Sequence, residues 1–306
     1  MNRRATVIFI GLGVAWGIPY LLIKVSVAEL TPATLVLFRT ALAALLLLPI
    51  ALGRRQVTPV LRHWRPLLAF IAVEIAVPWL FLSRAEQRLP SSTTGLLIAA
   101  VPLVGVLVAF LTGRAERLGR SGWAGLMLGI AGVGALVGLD VGGSDLSAVA
   151  ELSVTVVGYA LGPVVLSRWL ANLPSLGVIA TALTGAALAY VPVVILGGDL
   201  PSSVPSAKVI WSVVLLAVVC TAAAFLMLFA LVGEIGPVRA TTITYVNPAV
   251  AVLAGALLLG ESVTGWKILG FALVLMGSYL VNRRPTSSSD PSRAGASAAD
   301  AALQER

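Results

Sequence analysis

The stretch PVRATTITYVNPAVAVLAGALLLGESVTGWKILGFALVLMGSYL, from Pro237 to Leu280, decides the fold. Two long apolar runs are joined by a short polar elbow, Gly260-Glu261-Ser262-Val263-Thr264-Gly265. Nearly the same phrase stands earlier as SSTTGLLIAAVPLVGVLVAFLTGRAERLGRSGWAGLMLGIAGVGALV, from Ser91 to Val137. Pro102 answers Pro248, Glu116 answers Glu261, Gly122-Trp123 answers Gly265-Trp266, and Gly134 answers Gly277. The chain therefore holds two copies of one unit, and the repeat comes before any fold assignment.

Outward from this pair the match continues. Gly13-Val14-Ala15-Trp16-Gly17-Ile18-Pro19, followed by Lys24, corresponds to Gly158-Tyr159-Ala160-Leu161-Gly162-Pro163, followed by Arg168. Thr31-Pro32 corresponds to Leu173-Pro174, Leu67-Leu68-Ala69 to Leu215-Leu216-Ala217, and Glu86 to Glu234. Apolar runs of about twenty residues, the length that crosses a hydrocarbon core of ~30 Å, recur from end to end. They predict an all-α polytopic membrane protein with ten spans, at residues 5–24, 33–52, 66–83, 92–112, 121–139, 148–167, 175–196, 209–231, 238–259 and 264–282. The repeats then occupy 5–140 and 147–282, and the Ser/Ala/Asp-rich tail, 285–306, reads as disordered and cytoplasmic. Five spans per copy is an odd number, so the second copy enters the membrane upside down. Inverted repeats around a central cavity are a transporter architecture, with the substrate near mid-membrane.

Composition agrees. The chain is 58% hydrophobic and 11% charged, with mean hydropathy +1.00. A water-soluble domain of this length cannot hide that much apolar surface, and the runs do not alternate as barrel strands do. The net charge of +8 is no nucleic-acid signal. Its arginines sit in short loops, where the positive-inside bias places them. Arg3, Arg4, Arg54, Arg55, Arg62, Arg65, Arg114, Arg117, Arg120, Arg283 and Arg284 share one side, which puts both termini in the cytoplasm of a cell-membrane protein. Arg84 and Arg88 fall on the other side with Asp140, Asp145 and Asp199. The N-terminal run reads as the first helix rather than a cleaved signal. One cysteine, Cys220, and one histidine, His63, leave no disulfide framework, metal site or histidine triad. No Walker-type loop or nucleophile elbow appears. The chain reads as a non-enzyme without a cofactor, and its partners are the bilayer and a small-molecule substrate, with protons a candidate coupling ion.

Candidate site residues follow from cost. Glu74 lies mid-span in LLAFIAVEIAVPWLFL, where a carboxylate costs roughly 2.5–3.5 kcal/mol. Either it faces the cavity as a proton or amine site, or it locks helices together. Arg39 lies ~10 Å into the second span at 1.5 Å per residue. It binds a substrate carboxylate, pairs with Glu74 through water, or serves the framework. Thr181 and Ala222 stand at the matching positions, so both charges belong to the first copy. Pro19, Pro78, Pro102, Pro163, Pro192 and Pro248 interrupt spans, and Pro102 and Pro248 are repeat mates suited to a hinge. Trp16, Tyr20, Trp79, Tyr159, Phe225 and Tyr245 are candidate cavity aromatics, with lipid-facing placement as the alternative. Thr221, Thr244 and Asn247 are polar groups on second-copy spans. Glu116 and Glu261 are expected to serve the positive ends of the fifth and tenth helices. Gly125-x-x-x-Gly129 and Gly134-x-x-x-Gly138 allow close helix contact, within a monomer or in a homodimer.

Trp16-Gly17 with Lys24, Pro32 with Arg39, Pro102 with Glu116, and Asn247-Pro248 with Gly260-Glu261 occur in one order from Ala5 to Asn282. In this the chain resembles the drug/metabolite transporter superfamily, in its ten-helix EamA-type branch. The resemblance implies a basket of helices 1–4 and 6–9 around a central cavity, with 5 and 10 outside. It also implies export of amino acids or other small metabolites, often proton-linked. The preferred expectation is an amino-acid exporter working by alternating access. Efflux of hydrophobic or cationic drugs is the second reading, and a non-transporting membrane scaffold the third.

Overall fold

The computed structural model describes residues 2–111, 120–137, 145–236 and 240–282. Among them the chain is helical, with no strand. We label its helices α1 (Arg3–Ser26), α2 (Pro32–Gly53), α3 (Trp64–Arg88), α4 (Ser91–Leu111), α5 (Arg120–Ala135) and α6 (Leu146–Leu170). Then come α7 (Ser175–Gly197), α8 (Ala207–Ile235), α9 (Asn247–Leu259) and α10 (Gly265–Asn282). Seven of them, α1 to α4 and α6 to α8, are long and apolar enough to cross a membrane, whereas α5, α9 and α10 are shorter. Glu116, the arginines at 114, 117, 283 and 284, Asp140, Gly138 and the tail lie outside the described residues.

Local chemistry sets the ends. Thr31 caps α2 by accepting from the Thr34 N–H, and Pro32 opens the helix with its fixed φ. Gly198 (φ 69°) and Gly260 (φ 67°) close α7 and α9 in the left-handed region, where a side chain is costly. Interruptions follow the prolines. α1 breaks at Ile18 before Pro19, and α4 turns at Ala99-Ala100 before Pro102. The ninth span is not the single α-helix expected: a 3₁₀ segment, Thr241–Tyr245, precedes the α-helix that starts at Asn247. Pro163 sits exposed inside α6 and is followed by a π segment, Leu166–Leu170.

Two further π segments are Ile71–Ala76 in α3 and Val218–Ala223 in α8. They contain Glu74 and Ala222, the residues that the repeat pairs with each other. Neighbouring hydroxyls satisfy carbonyls loosened there. Tyr190 donates to Ala76 O at 2.9 Å, Thr155 to Pro78 O at 3.0 Å, and Thr221 to Leu216 O at 2.8 Å. Such irregular backbone survives at membrane depth only when protein supplies the missing partners.

The most extensive packing joins α5 to α10, α2 to α7, α3 to α6, α4 to α9, and α1 to α8. Exchanging the two halves maps this set of pairs onto itself. Contacts at the helix ends give direction. Thr34, at the start of α2, donates to the carbonyl of Asp199 just beyond α7 at 2.7 Å. Gly125 faces Gly277 and Gly132 faces Gly270, so α5 and α10 run antiparallel through glycine contacts. Leu45, Leu196, Leu257 and Leu258 point outward, as in a protein solvated by lipid.

Glu261 departs from expectation. Instead of serving α10, its carboxylate crosses to the start of α4, accepting from Ser91 N at 2.8 Å, Ser91 Oγ at 2.9 Å and Ser92 N at 2.9 Å. These are the unpaired amides of a helix N-terminus, where a carboxylate is favoured. Burial works against ionisation, but the donors of Ser92 and Ser91 outweigh it and hold the carboxyl below its ordinary value of 4.5. A depressed pKa means stability present at neutral pH and lost as pH falls through the folded value. Glu261→Ala should therefore cost about 1–2 kcal/mol at neutral pH. That deficit should shrink in thermal melts taken at progressively more acidic pH, as the wild-type carboxyl itself becomes protonated below the ordinary carboxylate range.

Candidate functional site

The site is built around Arg39. Its guanidinium is buried between α2, α3 and α8, with 7% of the residue exposed. Nε donates to Thr221 Oγ1 at 3.0 Å, and Cζ stands 3.7 Å above the Trp79 ring. The π segment of α8 turns Thr221 inward, and the helical phase of α3 above its own π segment does the same for Trp79. Tyr159 on α6 and Tyr20 on α1 both lie within electrostatic reach of Arg39. Among the described residues no carboxylate lies within ion-pair distance of Arg39. A buried cation with no carboxylate at ion-pair distance is expensive, and Glu86 reaches it only at longer electrostatic range.

The aromatic candidates divide. Trp64, Trp123, Trp169, Trp211 and Trp266 are exposed, which leaves Trp16 and Trp79 to face protein. Trp16 meets Phe225 edge-on with centroids 6.1 Å apart, and Phe225 stacks on Phe229 at 6.3 Å. Phe225 lies one helical turn past Thr221, so this aromatic group adjoins the Arg39 cluster along α8. Tyr20 packs beside Gly95 of α4. Tyr245 is partly buried in the 3₁₀ segment, and Thr244 beside it is exposed. Asn247 places its carbonyl against Gly17 of α1, and its Oδ1 is buried without a hydrogen-bond partner. Pro19 and Pro248 are buried, while Pro102 is partly exposed.

Glu74 does not point at lipid. Its Oε2 is buried against Gly162 of α6 with no hydrogen-bond partner, and its electrostatic neighbour is Tyr159 rather than Arg39. The two intramembrane charges are therefore not paired with each other. Outside this centre, α4, α5 and α6 frame a groove of about 260 Å³ lined by Leu97, Leu103, Ile130, Leu152 and Val157. It offers no charged group.

One residue escaped the sequence reading. α3 continues to Arg88 instead of ending near 83, which brings Glu86 inside the helix. Glu86 is 0% exposed, with both carboxyl oxygens unpartnered. Trp79, Ser83 and Glu86 share one face of α3 at helical spacing, and that periodicity is the signal that could have found it. The flanking Arg84 and Arg88 do face outward, where they bind Glu151 at 3.1 and 2.6 Å.

A bundle of long apolar helices, broken at proline and wrapped around a buried guanidinium, has the form of a membrane transporter. Known proteins agree. The model of the EamA-like transporter family matches the chain twice, over residues 3–138 and 147–283. The inner membrane transporter YedA of Escherichia coli (strain K12) is 32% identical over 283 residues, covering 89% of this chain and 90% of that protein. A transporter of Archaeoglobus fulgidus is 26% identical over 278 residues, covering 88% and 95%. A solved crystal structure has the same fold with TM-score 0.66 at 23% identity, covering 92% of this chain and 98% of that one. The chain belongs to the EamA-like transporter family.

Proposed function

We propose that the protein is a secondary transporter of the inner membrane that exports a small carboxylate-bearing metabolite, an amino acid above all. It works by alternating access of two inverted five-helix repeats, with protons as the coupling ion. The buried, unpaired guanidinium of Arg39 is the observation that carries this reading. Its ligands come from α2 and α3 of one copy and α8 of the other, so a substrate held there bridges the halves. The ten-span duplication, with units 5–140 and 147–282, is supported by the double family match. Inversion is supported by the antiparallel mates α2/α7, α4/α9 and α5/α10. The positive-inside bias puts the Arg54 end, with both termini, in the cytoplasm. The α5 glycines meet α10 within the chain, which favours a monomer over a glycine-mediated dimer. Efflux of hydrophobic cations fits less well, because the Trp79 face that would receive a cation is already occupied by Arg39.

The test is efflux from vesicles loaded with labelled amino acids, compared across pH gradients. Wild type should drive pH-dependent efflux of at least one carboxylate substrate. Glu74→Gln should leave binding of that substrate within about twofold, since Glu74 stands apart from Arg39, and slow its pH-driven efflux about tenfold. Normal pH-driven efflux in Glu74→Gln removes Glu74 from the mechanism. Failure of every carboxylate, with drug efflux intact, removes the amino-acid reading.

A further inference from the structure

Glu86 is a fully buried carboxyl without a partner, and nothing above gives it work. Its surroundings do. Lys24 on α1 spends two donors on the last turn of α3, to Glu86 O at 2.7 Å and Leu89 O at 2.9 Å. A lysine on terminal helix carbonyls is a C-cap, and here it comes from another helix and ties α1 to α3. The tie lies at the end of the bundle that also holds Glu261. The carboxyl of the same Glu86 interacts electrostatically with Lys24, Arg39 and the Glu261 carboxylate. Among the described residues, Tyr20 of α1 and Tyr159 of α6 are further titratable groups coupled to it.

We propose that Glu86 is a proton-exchange site that works this tie. With Glu86 protonated, its carboxyl is neutral and Lys24 holds the two carbonyls, which keeps the Glu261 end closed. When the O–H bond breaks and the proton passes to water, a carboxylate is left fully buried with neither oxygen in a hydrogen bond, at high cost. The Lys24 ammonium already bonds the backbone carbonyl of the same residue, and a carboxylate is a stronger acceptor than a carbonyl. Lys24 then turns to the Glu86 carboxylate and releases the end of α3 from α1. Arg39 favours this charged state, and the Glu261 carboxylate opposes it. The inference rests on the alternating-access reading, but its test needs no substrate and reads only closure.

Cys220 is the one cysteine in the chain, so it is replaced by serine and Leu89→Cys is introduced in purified protein in lipid nanodiscs. Leu89 is 1% exposed, and the change leaves its carbonyl in place. Maleimide labelling at Leu89→Cys is normalised to the exposed Ser202→Cys, which cancels ordinary thiol ionisation. The normalised rate should rise at least about tenfold from about pH 5.5 to about pH 8.5. Glu86→Gln should hold it slow at both pH values, Lys24→Met should make it fast at both, and Glu86→Asp should restore the pH dependence. A rate that stays flat with Glu86 intact overturns the proposal, as does an unchanged pH dependence in Glu86→Gln. A pH-switched tie with no transported substrate would instead count against the transport reading alone.

Discussion

Arg39→Gln should lower carboxylate flux by about 100-fold or more while the protein remains folded. Charge-assisted hydrogen bonds are worth about 1.5–3 kcal/mol each, and two from one guanidinium to a carboxylate make about 3 kcal/mol a conservative sum. Each 1.4 kcal/mol is tenfold. Folding should survive, because Thr221 keeps its bond to Leu216 O after losing the arginine, and removal of an uncompensated buried charge relieves a cost. Arg39→Lys should recover little, since a lysine has neither the planar fork nor the stacking surface that rests on Trp79. Trp79→Leu should cost less, about tenfold, through loss of that stack. Flux and substrate-induced thermal stabilisation, measured together, separate binding from turnover. Wild-type stabilisation by a carboxylate substrate in Arg39→Gln would refute the assignment.

Gly277→Val should be the most damaging change to stability. A Cβ at position 277 would stand 2.6 Å from both Gly125 O and Gly129 N, which are backbone atoms of α5. Neither can rotate away, so α5 and α10 must separate along their length, including the Gly132–Gly270 contact. Overpacking of this kind costs about 3 kcal/mol or more when no side chain can yield. Gly134→Ala supplies the contrast, since a Cβ there meets nothing within 4 Å. Relieved of glycine's helix penalty, it should be neutral or stabilising by up to about 1 kcal/mol. Thermal unfolding in one detergent ranks the two. Equal melting temperatures would mean that the α5–α10 glycine contact does not hold these helices together.

The all-helical membrane class was legible because spanning helices obey a strong sequence rule, apolar length, and seven helices here meet it. The Pro248 break could be read from Pro102, and both appear as interrupted helices. The site was legible in part. Arg39, Trp79, Tyr159 and Thr221 were each marked by type and depth, and the structure gathers them. Where Glu74 lies relative to them was left open, because linear sequence does not show that the π segment of α3 turns Glu74 toward Gly162. Glu86 was overlooked because SRAEQR looks like a solvated flank, and burial there depends on helix length rather than composition. Glu261 was placed in its own elbow, as sequence proximity suggests, yet its carboxylate satisfies the amides of a helix about 170 positions earlier, which only chain topology brings near.

The π segments carry a consequence for anyone tracing variants along this chain. A π turn holds one residue more than an α turn, so the helix beyond it is rephased by about 100°. Within α3, positions before Ile71 and positions after Ala76 therefore belong on two separate helical wheels. Sensitive positions drawn on a single wheel would scatter around its rim and suggest no preferred face. Drawn on two wheels offset by one residue, they should collapse into two arcs, and α8 should show the same doubling about Val218–Ala223.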